Sequence, residues 1–400
     1  MHPSLDHPSS TGHFAKQLPF DHEKLDELLE TSKIDVLVVT SKHNIQYLLG
    51  GYKFFFFDQS DAIGVSRYLP ILIYPKGQPE KAIYIGNAME DSEAENRSFW
   101  CTTVETSSWG TLDAMETAVK HLKRLDISAG TIGVEFPFLP SDAADHLRGS
   151  MDQSHIVDAH FALERLRARK TPSELSLIQA ASNRVVDSMI ATFKSIRPGL
   201  TKRQIASELK RQEIDRDLVF EYCLITSGPS LNRAPSDQTV VKGDILSLDS
   251  GGRFNGYIGD LCRMGIVGTP DSELEDLLAE VEAIQQGART AIRPGSIGRD
   301  IFASAERLLS ASPNKKHIHF VAHGMGIIGH EAPRLSSRGP VPYPAYDAGL
   351  PLEAGMVLSV ETTLLHPVRG FIKLEDTLAV TETGYEAFGD EGRGWNQASF

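Results

Sequence analysis

Apolar and polar positions along the chain change period several times, and those changes divide it. Leu25, Leu28 and Leu29 repeat at helical spacing behind Asp21, which predicts a helix over 22–32 with Asp21 as its N-cap. Ile34 to Val39, Ile71 to Tyr74, Ala82 to Ile85 and Thr131 to Phe136 are short β-rich runs, and 111–125 carry a helical pattern. Such alternation predicts a small α/β domain over residues 1–160, opening with a loose arm over 1–20. A long helix follows. Thr171-Pro172-Ser173-Glu174 is a capping box with proline at the first helical position. Leu175, Ile178, Val185, Ile190, Phe193 and Ile196 then fall mostly on one face, and Arg197-Pro198-Gly199 ends the run. Thr201 with Gln204 opens another helix in the same way.

Residues 161–400 contain an internal repeat. Ile196-Arg197-Pro198-Gly199 recurs as Ile292-Arg293-Pro294-Gly295, each between helical stretches. Gly243-Asp244-Ile245-Leu246-Ser247-Leu248-Asp249 recurs as Gly355-Met356-Val357-Leu358-Ser359-Val360-Glu361, a turn, a strand and an acid each time. The expected architecture is therefore α/β (α+β): an N-terminal α/β domain, then a duplicated domain whose halves face each other about a pseudo-two-fold axis.

Composition narrows the function. The chain has 400 residues, 41% of them apolar, and a net charge of -13. No basic block offsets that charge, which argues against nucleic acid and against an anionic membrane surface. No apolar run approaches the roughly 18 residues of a membrane span. Cys101, Cys223 and Cys262 form no CxxC pair, so free thiols in a reducing, cytoplasmic compartment are expected.

The repeat also carries the candidate chemistry. Side chains alternate along a strand, so Leu246 and Leu248 share one face and leave Asp249 on the other. Leu358, Val360 and Glu361 follow the same pattern. Each strand leads through a glycine-containing turn to a second acid, Asp260 after Asp249 and Glu375 after Glu361. Hairpins place such acids side by side, and the repeat brings the two pairs together. Four bare carboxylates in one pocket repel by several kcal/mol, and divalent cations remove that repulsion. His323, between Ala322 and Gly324, is a fifth ligand candidate. Oxygen-rich ligation with one imidazole suits Mn, Fe, Co or Zn, with Mn the first expectation. Two such ions about 3.5–4 Å apart can hold a hydroxide and polarise a carbonyl, the chemistry of amide hydrolysis. His330, seven residues beyond His323, could hydrogen-bond a developing oxyanion.

These motifs resemble the pita-bread metallohydrolases, family M24, which include methionine aminopeptidase, Xaa-Pro aminopeptidase, prolidase and creatinase. The resemblance rests on the Asp249–Asp260 hairpin, the loop from His323 through His330-Glu331-Ala332-Pro333-Arg334, the strand ending in Glu361, and Leu374-Glu375-Asp376-Thr377. Ile34 to Thr40 followed by Asn44 to Gly50 resembles the creatinase/prolidase N-terminal domain. The resemblance implies a dinuclear metal hydrolase cleaving an Xaa-Pro peptide or another short peptide or small molecule. It implies that Asp249 binds one ion, His323 and Glu361 the other, and that Asp260 and Glu375 bridge. Glu361 would accept a proton from the nucleophilic water, and His330 would contact the substrate carbonyl. It also implies a homodimer whose partner borders the site, with Tyr52 to Phe57 as a candidate wall or as a buried strand.

Three departures stand out. Family peptidases carry a further histidine before the first metal strand, and this chain has no histidine from 161 to 316. Asn232 and Arg233 lie in that segment and are candidate substrate contacts. Thr362 follows Glu361 where proline is common, and Lys373 stands where arginine usually precedes the last glutamate by two. They leave open a small non-peptidic substrate, creatine- or ectoine-like, hydrolysed or cleaved by a lyase of this fold. An inactive binding module is a further alternative.

Overall fold

The computed structural model describes residues 18–55, 68–96, 99–125, 127, 129–337 and 343–397. The expected N-terminal arm lies outside these residues up to position 17, as do Phe56 and Phe57. The chain divides into two compact units, Met1–Leu166 and Arg167–Phe400.

The first unit follows its hydrophobic pattern closely. Its elements are α1 (His22–Thr31), β1 (Val36–Val39), α2 (Lys42–Leu48), β2 (Ile71–Pro75), β3 (Ile83–Asn87), α3 (Asp91–Asn96), β4 (Thr103–Ser108), α4 (Thr111–Arg124), β5 (Thr131–Val134), α5 (Ser141–Ser150), β6 (His155–Asp158) and α6 (His160–Arg167). Asp21 caps α1 by accepting from the Lys24 amide at 2.9 Å. Six strands run in the order β4-β3-β2-β1-β5-β6. Leu37 and Val39 face one apolar core while Val36 and Val38 face another. A sheet buried on both faces reads as a continuous apolar run, which is what Val36 to Val39 is. Tyr52 and Phe54 are core residues, whereas Phe55 is 61% exposed.

The second unit begins with α7 (Pro172–Ser195) and α8 (Lys202–Ile214), then β7 (Val219–Ser227), β8 (Ile245–Phe254) and β9 (Tyr257–Ile266). The order repeats as α9 (Ser272–Arg289), α10 (Gly298–Ala311), β10 (Ile318–Gly324), β11 (Val357–His366) and β12 (Gly370–Val380), and β13 (Tyr385–Phe388) and β14 (Asn396–Gln397) close the chain. Both predicted capping boxes form, at Thr171/Glu174 and Thr201/Gln204. The main path of the sheet runs β10-β11-β12-β9-β8-β7, so each half supplies three antiparallel strands and the halves meet between β12 and β9. Repeated local detail supports the duplication. Gly243 and Gly355 both take φ +92, and Gly199 and Gly295 take +89 and +85. These left-handed turns are why the repeats share glycine there. Behind the sheet, Val185, Met189 and Phe193 of α7 pack with Leu246, Leu248 and Leu261, all buried. Each such side chain contributes roughly 1.5–3 kcal/mol of transfer free energy.

Candidate metal centre

The antiparallel register lines up the acids. Glu361 on β11 pairs with Glu375 on β12, Glu375 with Cys262 on β9, and Cys262 with Asp249 on β8. Paired residues present their side chains to the same face, so four adjacent strands build one row. Positions two residues away share that face. They include Asp260, Lys373 and His323, the last from β10, where Val321 pairs with Glu361.

The sequence reading sets the two acids of each hairpin side by side. The second hairpin does this, but the first does not. Asp260 pairs with Gly251, two residues from the Asp249–Cys262 pair. The cause is the turn. Asn255 and Gly256 take φ +48 and +91 between the paired Phe254 and Tyr257, and this two-residue turn fixes every pair beneath it. Asp260 still enters the site, diagonally.

Asp260, His323 and Glu375 offer ligand atoms that all lie within 4.8 Å of one another, and all three residues are buried. Among the described residues this is the one such grouping of ligand side chains. His323 Nδ1 lies 3.1 Å from the Gly324 carbonyl oxygen. A carbonyl only accepts, so Nδ1 carries the hydrogen and the neutral ring keeps its lone pair on Nε2. Nε2 is buried and has no hydrogen-bond partner among the described residues, although Glu361 Oε1 is 3.2 Å away. An orphaned imidazole nitrogen beside converging carboxylates fits a divalent ion.

The Asp249 side is different. Lys373 Nζ lies 2.7 Å from Asp249 Oδ2, 2.6 Å from Glu361 Oε2 and 2.7 Å from Glu375 Oε2. Arg233 also donates to Asp249 Oδ2, and its guanidinium lies 5.2 Å from the centre of the Phe371 ring. Asp249 is thus brought to the row but held by two cations. Asp260, His323 and Glu375 converge as a ligand set, and the Lys373 ammonium group faces the Asp249 side. Asn232, the other candidate substrate contact, is exposed, and its Oδ1 accepts from the Ala234 amide at 3.0 Å.

Burial and mutual repulsion set the charge states. Burial, then Asp249, pushes the Asp260 carboxyl up to about 6. Burial with Asp260 and Glu361 raises Glu375 well above the usual range. Burial also opposes ionisation of Glu361, but Lys373 and His323 outweigh it and hold Glu361 below its ordinary value. Burial opposes a charge on His323, yet Glu361 and Asp260 raise its proton affinity. These acids therefore favour a cation at Nε2, whether proton or metal.

His330 stacks on His323, with ring centres 3.8 Å apart and planes 18° from parallel. Burial and the neighbouring imidazole lower its pKa to about 3, so the ring is neutral at ordinary pH. Its loop is anchored by Glu331, whose carboxylate takes Lys170 Nζ at 3.1 Å and Arg167 at 3.0 Å. A side chain at Gly324 would collide with the Glu331–Pro333 backbone, and one at Gly326 with Glu331 and Lys170. The two glycines around His323 are needed for this approach.

Sequence reasoning missed two contributors. Tyr222 OH donates to Asp260 Oδ1 from β7, and no motif marks it. Cys262 lies in the floor of the row, and its place two residues after Asp260 would have put it there.

The sequence model of metallopeptidase family M24 matches residues 176–382, and that of the creatinase/prolidase N-terminal domain matches 22–169. The chain belongs to metallopeptidase family M24, and the expected pita-bread family and its fold are borne out. Among its relatives is an Xaa-Pro dipeptidase of Lactobacillus helveticus, 25% identical over 377 residues, spanning 92% of this chain and 95% of the relative. An uncharacterized peptidase, YqhT of Bacillus subtilis, is 25% identical over 370 residues, 90% of this chain and 95% of the relative. In structure the chain is similar to an Xaa-Pro dipeptidase from Bacillus anthracis, with a TM-score of 0.78 at 21% identity over 94% of this chain and 98% of the other.

Proposed function

We propose that the second unit is a metal-dependent amide hydrolase of the Xaa-Pro dipeptidase kind. The observation that carries this is the convergence of Asp260, His323 and Glu375 within 4.8 Å, beside Glu361 and beneath His330. The Xaa-Pro substrate class is supported by full-length similarity to Xaa-Pro dipeptidases. A divalent ion bound there supplies Lewis-acid polarisation of the scissile carbonyl and activates water at neutral pH. Asp260, His323 and Glu375 would hold it, with Glu361 adjacent. Mn leads among Mn, Fe, Co and Zn for this donor set.

Glu361 is ionised at neutral pH, so one of its oxygens can take the proton that the attacking water sheds. Lys373 keeps that carboxylate charged and fixed at 2.6 Å. His330, neutral and stacked, can donate a hydrogen bond to the carbonyl oxygen as charge develops there. The homodimer rests on the resemblance, and sedimentation equilibrium tests it. Three buried free thiols support a reducing compartment such as the cytoplasm.

A second reading, a small non-peptidic substrate, is favoured by Arg233 and Lys373, which set a fixed positive charge on the Asp249 side. One assay separates the two. The purified chain, loaded with Mn²⁺, is given Ala-Pro, Ala-Pro-Ala, creatine and ectoine, with and without chelator. Chelator-sensitive cleavage of Ala-Pro is the expected result. Turnover of creatine or ectoine alone selects the second reading, and turnover of none of the four overturns the peptidase proposal.

A further inference from the structure

We propose that Lys373 replaces one of the two ions expected at this site, so that the folded chain binds a single divalent ion at Asp260, His323 and Glu375. This rests on the metal-dependent reading above and refines its stoichiometry.

The duplication shows how the replacement arises. In the first half, Asp249, midway along β8, is followed along that strand by Gly251, which pairs with Asp260. In the second half the same step leads from Glu361 to Thr363, which pairs with Lys373. Lys373 is therefore the repeat-mate of Asp260, a ligand position on the same face of the sheet. One half offers a carboxylate there and the other an ammonium.

Geometry then defines what the ammonium does. Its three carboxylate partners come from β8, β11 and β12, at 2.6–2.7 Å. The side chain is 5% exposed, so those contacts are buried. A lysine ends in a compact point charge on a flexible stem and can sit at the centre of three converging oxygens, as an ion does. An arginine fork is planar and would meet carboxylates edge-on.

Charge balance agrees. Four carboxylates face the site, and two divalent ions would neutralise them. Lys373 and Arg233, both on Asp249, already cancel half of that charge. What is left matches one divalent ion, and Asp249 is absent from the group of ligands that converge for it. A second ion would have to displace an ammonium from three charge-assisted hydrogen bonds, each shorter than an average N–H···O contact.

The test is metal content with a spectroscopic readout. The full-length chain is saturated with Mn²⁺, desalted, and measured by elemental analysis and by electron paramagnetic resonance. The wild type is expected to hold one ion per chain with an uncoupled six-line spectrum. Lys373→Ala and Lys373→Met are expected to take up a second ion and to show the exchange-coupled signal of a pair about 3.5–4 Å apart. Two coupled ions in the wild type overturn the inference and leave the metal-dependent reading standing. No ion in the wild type overturns both. Folded Lys373 variants that stay at one ion overturn the role given to Lys373.

Discussion

Strand β12 carries two consecutive acids into opposite electrostatic surroundings. Glu375 points to the ligand face with Asp260, Glu361 and Asp249, where four carboxylates meet Lys373 and Arg233. Asp376 points to the back, where it is ringed by Arg263 at 3.1 Å, Arg289 at 2.7 Å and Arg393 at 2.5 Å, with Gln285 at 2.6 Å. Burial opposes the ionisation of Asp376, and the three guanidiniums overrule it and hold the group well below its usual range. Burial acts on Glu375 as well, but there its neighbours are mostly acids, and its affinity for a proton rises. The back of the strand is a completed charge network and the front an incomplete one. A completed network fastens β9, β12 and α9 together; an incomplete one has capacity for a cation.

The largest effect should come from breaking the completed side. Asp376→Asn leaves Arg263, Arg289 and Arg393 without their shared buried anion and should cost about 3–5 kcal/mol in denaturant unfolding. A loss under about 1 kcal/mol would show that the network does not fasten the sheet.

Glu331 is a second completed cluster, and its charge gives a pH signature. Burial works to raise its pKa, but Arg167 and Lys170 bring it down to about 2. The stability it contributes is present above the unfolded value near 4.5 and is lost as pH falls toward 2. Glu331→Gln should reduce unfolding stability at pH 7 by about 3 kcal/mol and flatten its pH dependence between pH 4.5 and 2. An unchanged acid limb would contradict the assignment.

On the incomplete side, effects should move from stability to activity. His330→Ala should reduce kcat by about 10²–10³-fold, the usual cost of an oxyanion donor, with little change in unfolding. Steady-state rates on the cleaved substrate decide this, and a kcat unchanged within error would remove His330 from the mechanism.

The smallest stability change is expected at Glu375 itself. Glu375→Gln removes one acid from a group that repels it, and Lys373 keeps Asp249 and Glu361. Unfolding in chelator should shift by less than about 1 kcal/mol, while divalent-ion affinity falls by more than 100-fold, roughly the upper cost of losing even an outer partner. A chelator-independent loss of several kcal/mol would make Glu375 structural, like its neighbour.

Much of this site was legible in the chain. The repeated strand segment leading to Asp249 and to Glu361, the capping boxes at Thr171 and Thr201, and the glycines after His323 are local signals with local causes. Even the diagonal offset of Asp260 could have been counted from the Asn255-Gly256 turn, because a two-residue turn fixes the register of the whole hairpin. Other features needed the third dimension. The ring around Asp376 draws on β9, α9 and the segment after β13, which no window of sequence unites. Lys373 could be seen as a departure from arginine, and alternation puts it on the face of Glu375. Its grip on three acids from three strands emerges only when the two halves of the repeat meet.

The most direct test of the incomplete front face is anomalous diffraction from crystals grown with Mn²⁺. An anomalous peak coordinated by His323 Nε2 and by carboxylate oxygens of Asp260 and Glu375 is the expected result. A fully ordered site with no peak there, or a peak bound only by other residues, would contradict it.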